Sequence, residues 1–229
     1  TGISRDRQRD LVDTVQQLNQ LQEQRRWDPE IQTRINAYEM AFRMQASVPE
    51  LMDLSREPQH VLDMYGTQGS DGSYAANCLL ARRLAERGVR FIHLYHRGWD
   101  HHGDLTSYMK TCCGLTDKPT WALLTDLKQR GLLEDSLVIW GGEFGRTPKI
   151  SKRAAREHHQ HCYFSIWAGA GVQPGRTIGE SDARAERPIT EPISPLMAGT
   201  TIAELCGVGA QQRAEMKVLD GGRVINELL

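Results

Sequence analysis

The sequence has no surplus of charge of either sign and no long apolar run. Among its 229 residues, 28 Lys and Arg oppose 29 Asp and Glu, which gives a formal net charge of -1. Proteins that bind nucleic acid or anionic membranes usually carry an excess of basic side chains, so this balance argues against both partners. No apolar stretch approaches the ~20 residues that cross a bilayer, so no membrane-spanning helix is expected.

Cysteine is scarce, and its spacing excludes two further classes of protein. The five cysteines are odd in number and form no CxxC pair, so neither a disulfide framework nor a cysteine-rich zinc site is expected. Only the neighbours Cys112 and Cys113 could in principle form a strained bridge. Because the chain begins with Thr1 and shows no basic-then-apolar leader, we expect a processed product or a part of a longer chain.

The first 66 residues have the apolar periodicity of helices and predict a helical N-terminal arm. Apolar residues at spacings of three and four predict a helix over residues 6–26. Asp28 and Pro29 are typical of a helix start, and a second stripe continues to about Ala46. We expect both stripes to pack in a core. They consist of Leu11, Val15, Leu18 and Leu21, and of Ile31, Ile35, Tyr38 and Phe42.

The following residues predict a strand, a helix and a second strand. A helix over residues 73–87, ended by Gly88, precedes residues 89–95, an apolar segment predicted to be a strand buried on both faces. A helix over residues 120–129 then leads to a strand over 136–140. A strand, helix, strand order favours two parallel strands in one sheet.

The last part of the chain adds one strand of opposite direction. The link to a third strand, residues 163–168, has no helical stripe, so this strand is expected to run antiparallel to the second. Ser194 and Pro195 start a final helix that ends at Leu205. We therefore expect an α/β fold with a mostly parallel sheet flanked by helices and at least one antiparallel strand.

Residues that bind metals are concentrated next to the ends of the predicted strands. The predicted topology brings three such groups to one edge of the sheet, where open α/β sheets bind their ligands. Carboxylates and imidazoles without cysteine suit Zn, Mn or Fe(II). Taken singly, each group is also explained by structural hydrogen bonding. The groups are Asp100, His101 and His102; Glu143; and Glu157, His158, His159 and His161.

The tight loop at residues 142–148 offers a second kind of chemistry. Its glycines permit sharp turns, and the planar fork of Arg146 suits a phosphate or sulfate group. Arg146 could equally pair with Glu143, which lies three residues earlier. The basic residues that follow in this loop are typical of a solvated surface.

Two of these motifs resemble a known family. The sequences GGEFGRTP at residues 141–148 and GWDHHGD at residues 98–104 are similar to those of a bacterial family, domain of unknown function 1501, placed in the alkaline phosphatase and sulfatase superfamily. The resemblance covers nearly all of the 229 residues, and the chain corresponds to roughly the C-terminal half of the family domain. The strand and nucleophile of the N-terminal half have no counterpart here, so no nucleophile is assigned.

The resemblance implies roles for individual residues. Asp100, His102 and His158 correspond to one metal site, with zinc or manganese as the expected metal. Glu143 corresponds to a ligand of a second metal, at which Phe144 takes the place of a histidine and cannot ligate. Arg146 would lie near the substrate anion.

The resemblance also implies a function. It predicts a metal-dependent hydrolase of phosphate or sulfate esters, acting on a small molecule or a glycan in the periplasm. The alternative is a non-catalytic member of the superfamily that binds metal or glycan.

Overall fold

A computed structural model describes residues 5–23, 33, 36–40 and 48–229 of the chain. Its fold combines α-helices with a few antiparallel strands, so the predicted mixture of helices and strands is confirmed. The chain divides into two compact units, Thr1–Glu57 and Pro58–Leu229. No helix in the described part of the chain is long and apolar enough to cross a membrane.

The first unit contains helix α1, Arg5–Glu23, where the sequence predicts a helix over residues 6–26. Arg9 and Gln16 on α1 donate hydrogen bonds of 3.2 and 3.0 Å to Glu39 in the helical residues 36–40. The expectation that the first stripe lies in a core is wrong, because Leu11, Leu18 and Leu21 are each 57% exposed. In the second stripe Tyr38 is also exposed. Its other members, Ile31, Ile35 and Phe42, lie outside the described residues.

The core of the second unit lies among three helices: α2 (Gln59–Tyr65), α3 (Tyr74–Glu86) and α4 (Leu105–Gln129). Helix α3 matches its prediction, since the Ser73 side chain accepts a hydrogen bond from the Ala76 amide and Gly88 has a φ of 72°. The apolar side chains buried here include Leu62, Tyr65, Leu79, Ala122, Leu123 and Leu127.

Helix α4 is much longer than the predicted helix over residues 120–129. Its first half includes Thr111, Gly114 and Thr116, which are poor helix formers, and Pro119 lies inside the helix. Burial of Cys112, Thr116 and Pro119 in the second unit outweighs these local preferences. Neighbouring thiols on this helix stay free, so Cys112 and Cys113 do not form the bridge considered above.

The strands form two short antiparallel pairs. Strand β1 (Val138–Gly141) pairs with β4 (Ser165–Ala168), with Trp140 opposite Ile166. Two-residue strands β2 (Gly145–Arg146) and β3 (His158–His159) form the second pair. The predicted antiparallel third strand is thus confirmed, whereas the described strands do not show a parallel sheet.

Residues 89–95 do not form the predicted buried strand. The segment has no secondary structure, and Phe91 and Tyr95 are 70% and 82% exposed. A strand buried on both faces needs a neighbouring strand at its edge and packing on each face. The described part of the chain supplies packing on one face only, because Ile92 and Leu94 are half-buried while Phe91 and Tyr95 are not.

The last residues form helix α5 (Pro195–Leu205), helix α6 (Ala210–Met216) and a 3-10 turn (Asn226–Leu228). Helix α5 starts where predicted, and the Ser194 side chain accepts a hydrogen bond of 3.2 Å from the Met197 amide. The buried Thr201 hydroxyl accepts a 2.9 Å hydrogen bond from the Ile225 amide, which holds the end of the chain on α5.

Candidate metal centre

Two loops and the β2–β3 pair bring the candidate metal ligands together. The loop before α4 is tied to the loop before β3 by backbone hydrogen bonds from Leu105 to Ala154 and from Arg156 to His101, of 2.9 and 3.2 Å. Arg146 and His158 lie directly opposite each other in the β2–β3 pair, so their side chains share one face. Both side chains contact Asp100, which lies on the first loop.

Asp100, His102 and His158 form a cluster in which one ligand atom of each lies within 4.8 Å of the others. Asp100 Oδ1 is 2.8 Å from His102 Nε2 and 3.2 Å from His158 Nε2. Donors bound to one tetrahedral zinc at ~2.0–2.1 Å lie about 3.3 Å from one another. The three side chains are exposed, so an ion can reach them. Donor types and spacing therefore fit a divalent metal.

His102 contacts a carboxylate with each of its ring nitrogens. Its Nδ1 is 2.7 Å from Glu157 Oε2, and its Nε2 faces Asp100. A neutral imidazole carries one N–H, so it can donate to only one of two carboxylates. A cation between Nε2 and Asp100 is compatible with this arrangement. In metal-bound histidines, the ring nitrogen that does not bind the metal typically donates a hydrogen bond to a carboxylate, and the Nδ1 of His102 faces Glu157 in this way.

The sequence places Glu157 among the candidate metal-binding residues but assigns it no role at either metal. Its backbone is held by Thr147, whose amide donates to the Glu157 carbonyl at 2.8 Å and whose hydroxyl accepts from the Glu157 amide at 3.0 Å. These bonds place its carboxylate against His102, 55 residues away in sequence. Its position next to His158 is the one signal that could have suggested this role.

Arg146 connects the cluster to Glu143. Its guanidinium donates hydrogen bonds to Asp100 Oδ1 and, at 2.7 Å, to Glu143 Oε1. The bond from Arg146 holds the pKa of Asp100 at about 2, below the ordinary 3.8, so this carboxylate is ionised at neutral pH. Glu143 is not among the three clustered ligands, and its described partner is Arg146.

Phe144 packs against the site. Its ring centroid is 4.6 Å from that of His158, and the Arg146 guanidinium lies 5.2 Å from the same ring. The ring therefore limits the rotation of His158 and contributes a cation–π contact to Arg146. The sequence alone marked Phe144 as a residue that cannot ligate, and its positioning role was not foreseen.

Gly145 explains why the loop GEFGR can approach β3 so closely. A Cβ at this position would lie 2.0 Å from the Cys162 carbonyl oxygen and 2.7 Å from that of His159. Both atoms belong to the backbone and cannot move aside cheaply. Gly142, in the same motif, has no such contact, since the nearest atom to its Cβ would lie at 3.9 Å.

Three other histidines of the sequence motifs lie outside the cluster. His101 is buried, with its ring stacked on Tyr108 at 5.6 Å and its Nε2 3.6 Å from Cys112 Sγ. His159 points to the opposite face of β3 from His158, and its Nε2 is 2.8 Å from the Glu186 carbonyl. The ring of His161 contacts that of His159 at 5.4 Å. Of the larger set of candidates, Asp100, His102 and His158 are the three that lie within reach of one ion.

Comparisons with known proteins identify the family of this chain. No curated protein and no solved structure matches the chain. The sequence model of one family, described as a protein of unknown function (DUF1501), matches residues 1–229. The chain therefore belongs to the DUF1501 family.

Proposed function

We propose that this protein is a metal-dependent hydrolase of phosphate or sulfate esters, with Asp100, His102 and His158 as ligands of a catalytic metal. The observation that carries the proposal is the approach of two imidazole nitrogens to one ionised carboxylate oxygen, at 2.8 and 3.2 Å. The reaction class is supported by the resemblance of GWDHHGD and GGEFGRTP to motifs of the alkaline phosphatase and sulfatase superfamily.

Two imidazoles and one carboxylate fit zinc or manganese, as the sequence predicts. A bound metal of this kind polarises an ester oxygen and lowers the pKa of a coordinated water. Three protein ligands leave coordination positions for substrate and water, which is typical of catalytic rather than structural sites. Glu157 orients His102 by accepting a hydrogen bond from its Nδ1–H, so that Nε2 faces the metal position.

Arg146 is the proposed contact for the substrate anion. Its guanidinium donates hydrogen bonds to Asp100 and Glu143, and the same planar group can donate to two oxygens of a phosphoryl or sulfuryl group. The family resemblance implies that Glu143, which pairs with Arg146 in this structure, would be a ligand of a second metal if that pair were broken. We assign no nucleophile to these 229 residues.

The alternative proposal is a family member that binds metal or glycan without catalysis. The observation that favours it is Phe144, which lies against His158 where the superfamily pattern has a metal-binding histidine. With that position apolar, a second metal has fewer ligands from this loop.

Elemental analysis of the purified protein tests the metal site. We expect about one equivalent of zinc or manganese in the wild type and less than about a tenth of it in Asp100→Ala and His102→Ala. His161→Ala is the matched control, because this histidine is exposed and lies outside the cluster. Unchanged metal content in both cluster variants would reject the assignment.

Hydrolysis of p-nitrophenyl phosphate and p-nitrophenyl sulfate then separates the two proposals. The assay uses the native polypeptide that contains residues 1–229, loaded with zinc or manganese. A metal-dependent rate that is lost in His102→Ala supports the hydrolase. Full metal occupancy without turnover of either ester would instead favour the binding protein.

A further inference from the structure

Outside the metal cluster, the second unit contains a cavity of about 240 Å³, which we name the basic cavity. Three segments line it, one after β2, one at β3 and one after β4. His159 in this lining faces the opposite side of β3 from His158, so the basic cavity is separate from the Asp100 cluster. The lining residues are Thr147, Pro148, Lys149, His159, His161, Glu186 and Arg187.

Hydrogen bonds join these three segments. The Thr147 amide donates to the Glu157 carbonyl, just before β3, at 2.8 Å. His159 Nε2 lies 2.8 Å from the Glu186 carbonyl, which can only accept, so this ring nitrogen carries a proton. The Glu186 amide in turn donates to Asp182 Oδ1 at 2.8 Å. The fold therefore fixes the walls of the basic cavity, and binding there requires little rearrangement.

Two cations in the lining are unpaired. In the part of the chain that the structure describes, neither Lys149 nor Arg187 forms a salt bridge with a carboxylate. Other arginines of the second unit do, since Arg146, Arg213 and Arg223 lie 2.7, 2.6 and 2.7 Å from one. The charges of Lys149 and Arg187 are therefore available to an anionic ligand.

The surroundings of the basic cavity add positive charge. Residues 147–156 contain four basic side chains and no carboxylate, in a chain whose net charge is -1. Glu186 is the one carboxylate of the lining, against the two cations Lys149 and Arg187. A concave surface with an excess of one charge concentrates solutes of the opposite charge. The basic cavity therefore favours anions.

A larger cavity beside α5 has no such excess of charge. Its volume is about 470 Å³, and its lining contains two arginines and two glutamates. Arg223 and Glu191 in that lining pair with each other at 2.7 Å. Because its charges balance, the larger cavity does not indicate the charge of a ligand, whereas the basic cavity does.

The two cations indicate a tetrahedral oxyanion. A planar guanidinium donates two parallel hydrogen bonds to two oxygens of a phosphate or carboxylate, and an ammonium acts as a point charge. A carboxylate has only two oxygens, and Arg187 alone would occupy both. A phosphate or sulfate ester has three terminal oxygens, so Arg187 and Lys149 can contact it together.

The size of the basic cavity indicates that this anion is part of a larger molecule. Its volume of about 240 Å³ corresponds to roughly eight water molecules at ~30 Å³ each, which is more than a free phosphate or sulfate ion fills. Thr147 and His161 add a hydroxyl and ring nitrogens to the lining. These groups can form hydrogen bonds with the hydroxyls of a sugar or another polyol.

We infer that the basic cavity binds the phosphate or sulfate group of a small ester of about the size of one sugar unit. Arg187 and Lys149 contact the terminal oxygens of the ester, and Thr147 and His161 contact its polyol part. The inference does not rest on the proposed metal chemistry, since no lining residue is a proposed metal ligand.

Titration of metal-free protein with glucose 6-phosphate, at constant ionic strength, tests the inference by NMR. We expect saturable shifts of the backbone amides of Lys149, His161 and Arg187. Lys149→Ala and Arg187→Ala should each weaken binding by about tenfold, because each removes a hydrogen bond to a charged group. Glu186→Gln should strengthen binding by about threefold, because it removes the one carboxylate of the lining.

Two controls separate contact from general charge attraction and from the metal cluster. Lys152→Ala removes an exposed cation that lies on the same loop but outside the lining, and it should change the affinity by less than about twofold. Arg146→Ala should also leave the affinity unchanged, which distinguishes this site from the proposed substrate contact. Loss of binding in Arg146→Ala, or unchanged binding in both Lys149→Ala and Arg187→Ala, would overturn the inference.

Further ligands identify the source of the anion. Glucose 6-sulfate should bind like glucose 6-phosphate, and inorganic phosphate should bind about tenfold more weakly because it lacks the polyol part. Equal binding of inorganic phosphate would overturn the ester in favour of the free ion. Equal binding of glucuronate would overturn the choice of a tetrahedral anion.

Discussion

Two clusters of the second unit combine aspartate with arginine and differ in where they lie. Asp126 on α4 accepts hydrogen bonds from the Tyr65 hydroxyl at 3.0 Å and from Arg130 Nε at 2.6 Å. Arg82 Nε lies 3.0 Å from the same carboxylate. The side chains of Arg82 and Asp126 are only 3% and 4% exposed, and three helices hold this cluster.

The Asp100 cluster has similar groups but lies on loops and a two-residue strand pair. The Asp100 side chain is 61% exposed, and its partners are Arg146, His102 and His158. A buried carboxylate whose oxygens are all bonded to fixed donors has no capacity for a ligand. An exposed carboxylate that faces two imidazoles can exchange its partners for an ion. Burial therefore decides that one cluster stabilises the fold while the other can bind.

The largest loss of stability is expected from a substitution that breaks the buried cluster. Among the described residues, the buried Arg82 guanidinium contacts two carboxylates, and Asp126→Asn leaves it only Glu86, so we expect the free energy of unfolding to fall by about 3 kcal/mol. Urea denaturation measures this change. The matched variant Asp100→Asn should move the urea midpoint far less, because its ion pair is exposed to water. Equal destabilisation by the two variants would contradict the contrast.

The next effect concerns the backbone that holds the exposed cluster. Gly145→Ala places a methyl group against two carbonyl oxygens, so we expect a loss of about 1–3 kcal/mol in unfolding free energy and weaker metal binding. Gly142→Ala is the control, since its added methyl meets nothing closer than 3.9 Å. Denaturation and metal titration of both variants check the prediction. Equal unfolding free energies and equal metal affinities for the two variants would contradict the prediction.

A smaller effect is expected from Glu157. Glu157→Ala removes the carboxylate that lies 2.7 Å from His102 Nδ1. We expect metal binding to weaken by about 10–100-fold, because the imidazole ring loses the acceptor that orients it. Glu157→Gln keeps an acceptor oxygen and should recover part of the affinity. The exposed Glu134 provides a control, and Glu134→Ala should bind metal normally. Competition with a chromophoric chelator measures the affinities, and identical values for all variants would exclude an orienting role.

The smallest effect is the pH dependence of Asp100. Its pKa of about 2 in the folded protein lies below the ordinary 3.8 because Arg146 donates to it. The carboxylate therefore stabilises the fold fully above pH ~4, and this contribution is lost as the pH falls from 4 to 2. In metal-free protein, NMR titration of the Asp100 carboxyl should give a midpoint near 2. Arg146→Ala should raise that midpoint toward 3.8, and a midpoint unaffected by the substitution would refute the cause.

Local signals determined much of the secondary structure. Ser73 and Gly88 bound α3, and Ser194 with Pro195 starts α5, because caps act within one turn of the chain. The length of α4 could not be predicted in this way, since packing of the second unit overrides the poor helix propensity of residues 111–119. For residues 89–95, the pattern predicts a strand with two covered faces, and the described residues cover only one.

By itself, the sequence determined which residues can ligate a metal, because side-chain chemistry is local: Asp100, His102, Glu143 and His158 were all named from it. The tertiary structure decided which of them meet. It buries His101, turns His159 to the other face of β3 and engages Glu143 with Arg146. It also brings Glu157 to His102 across 55 residues, a contact that depends on how the two loops pack and that local sequence does not specify.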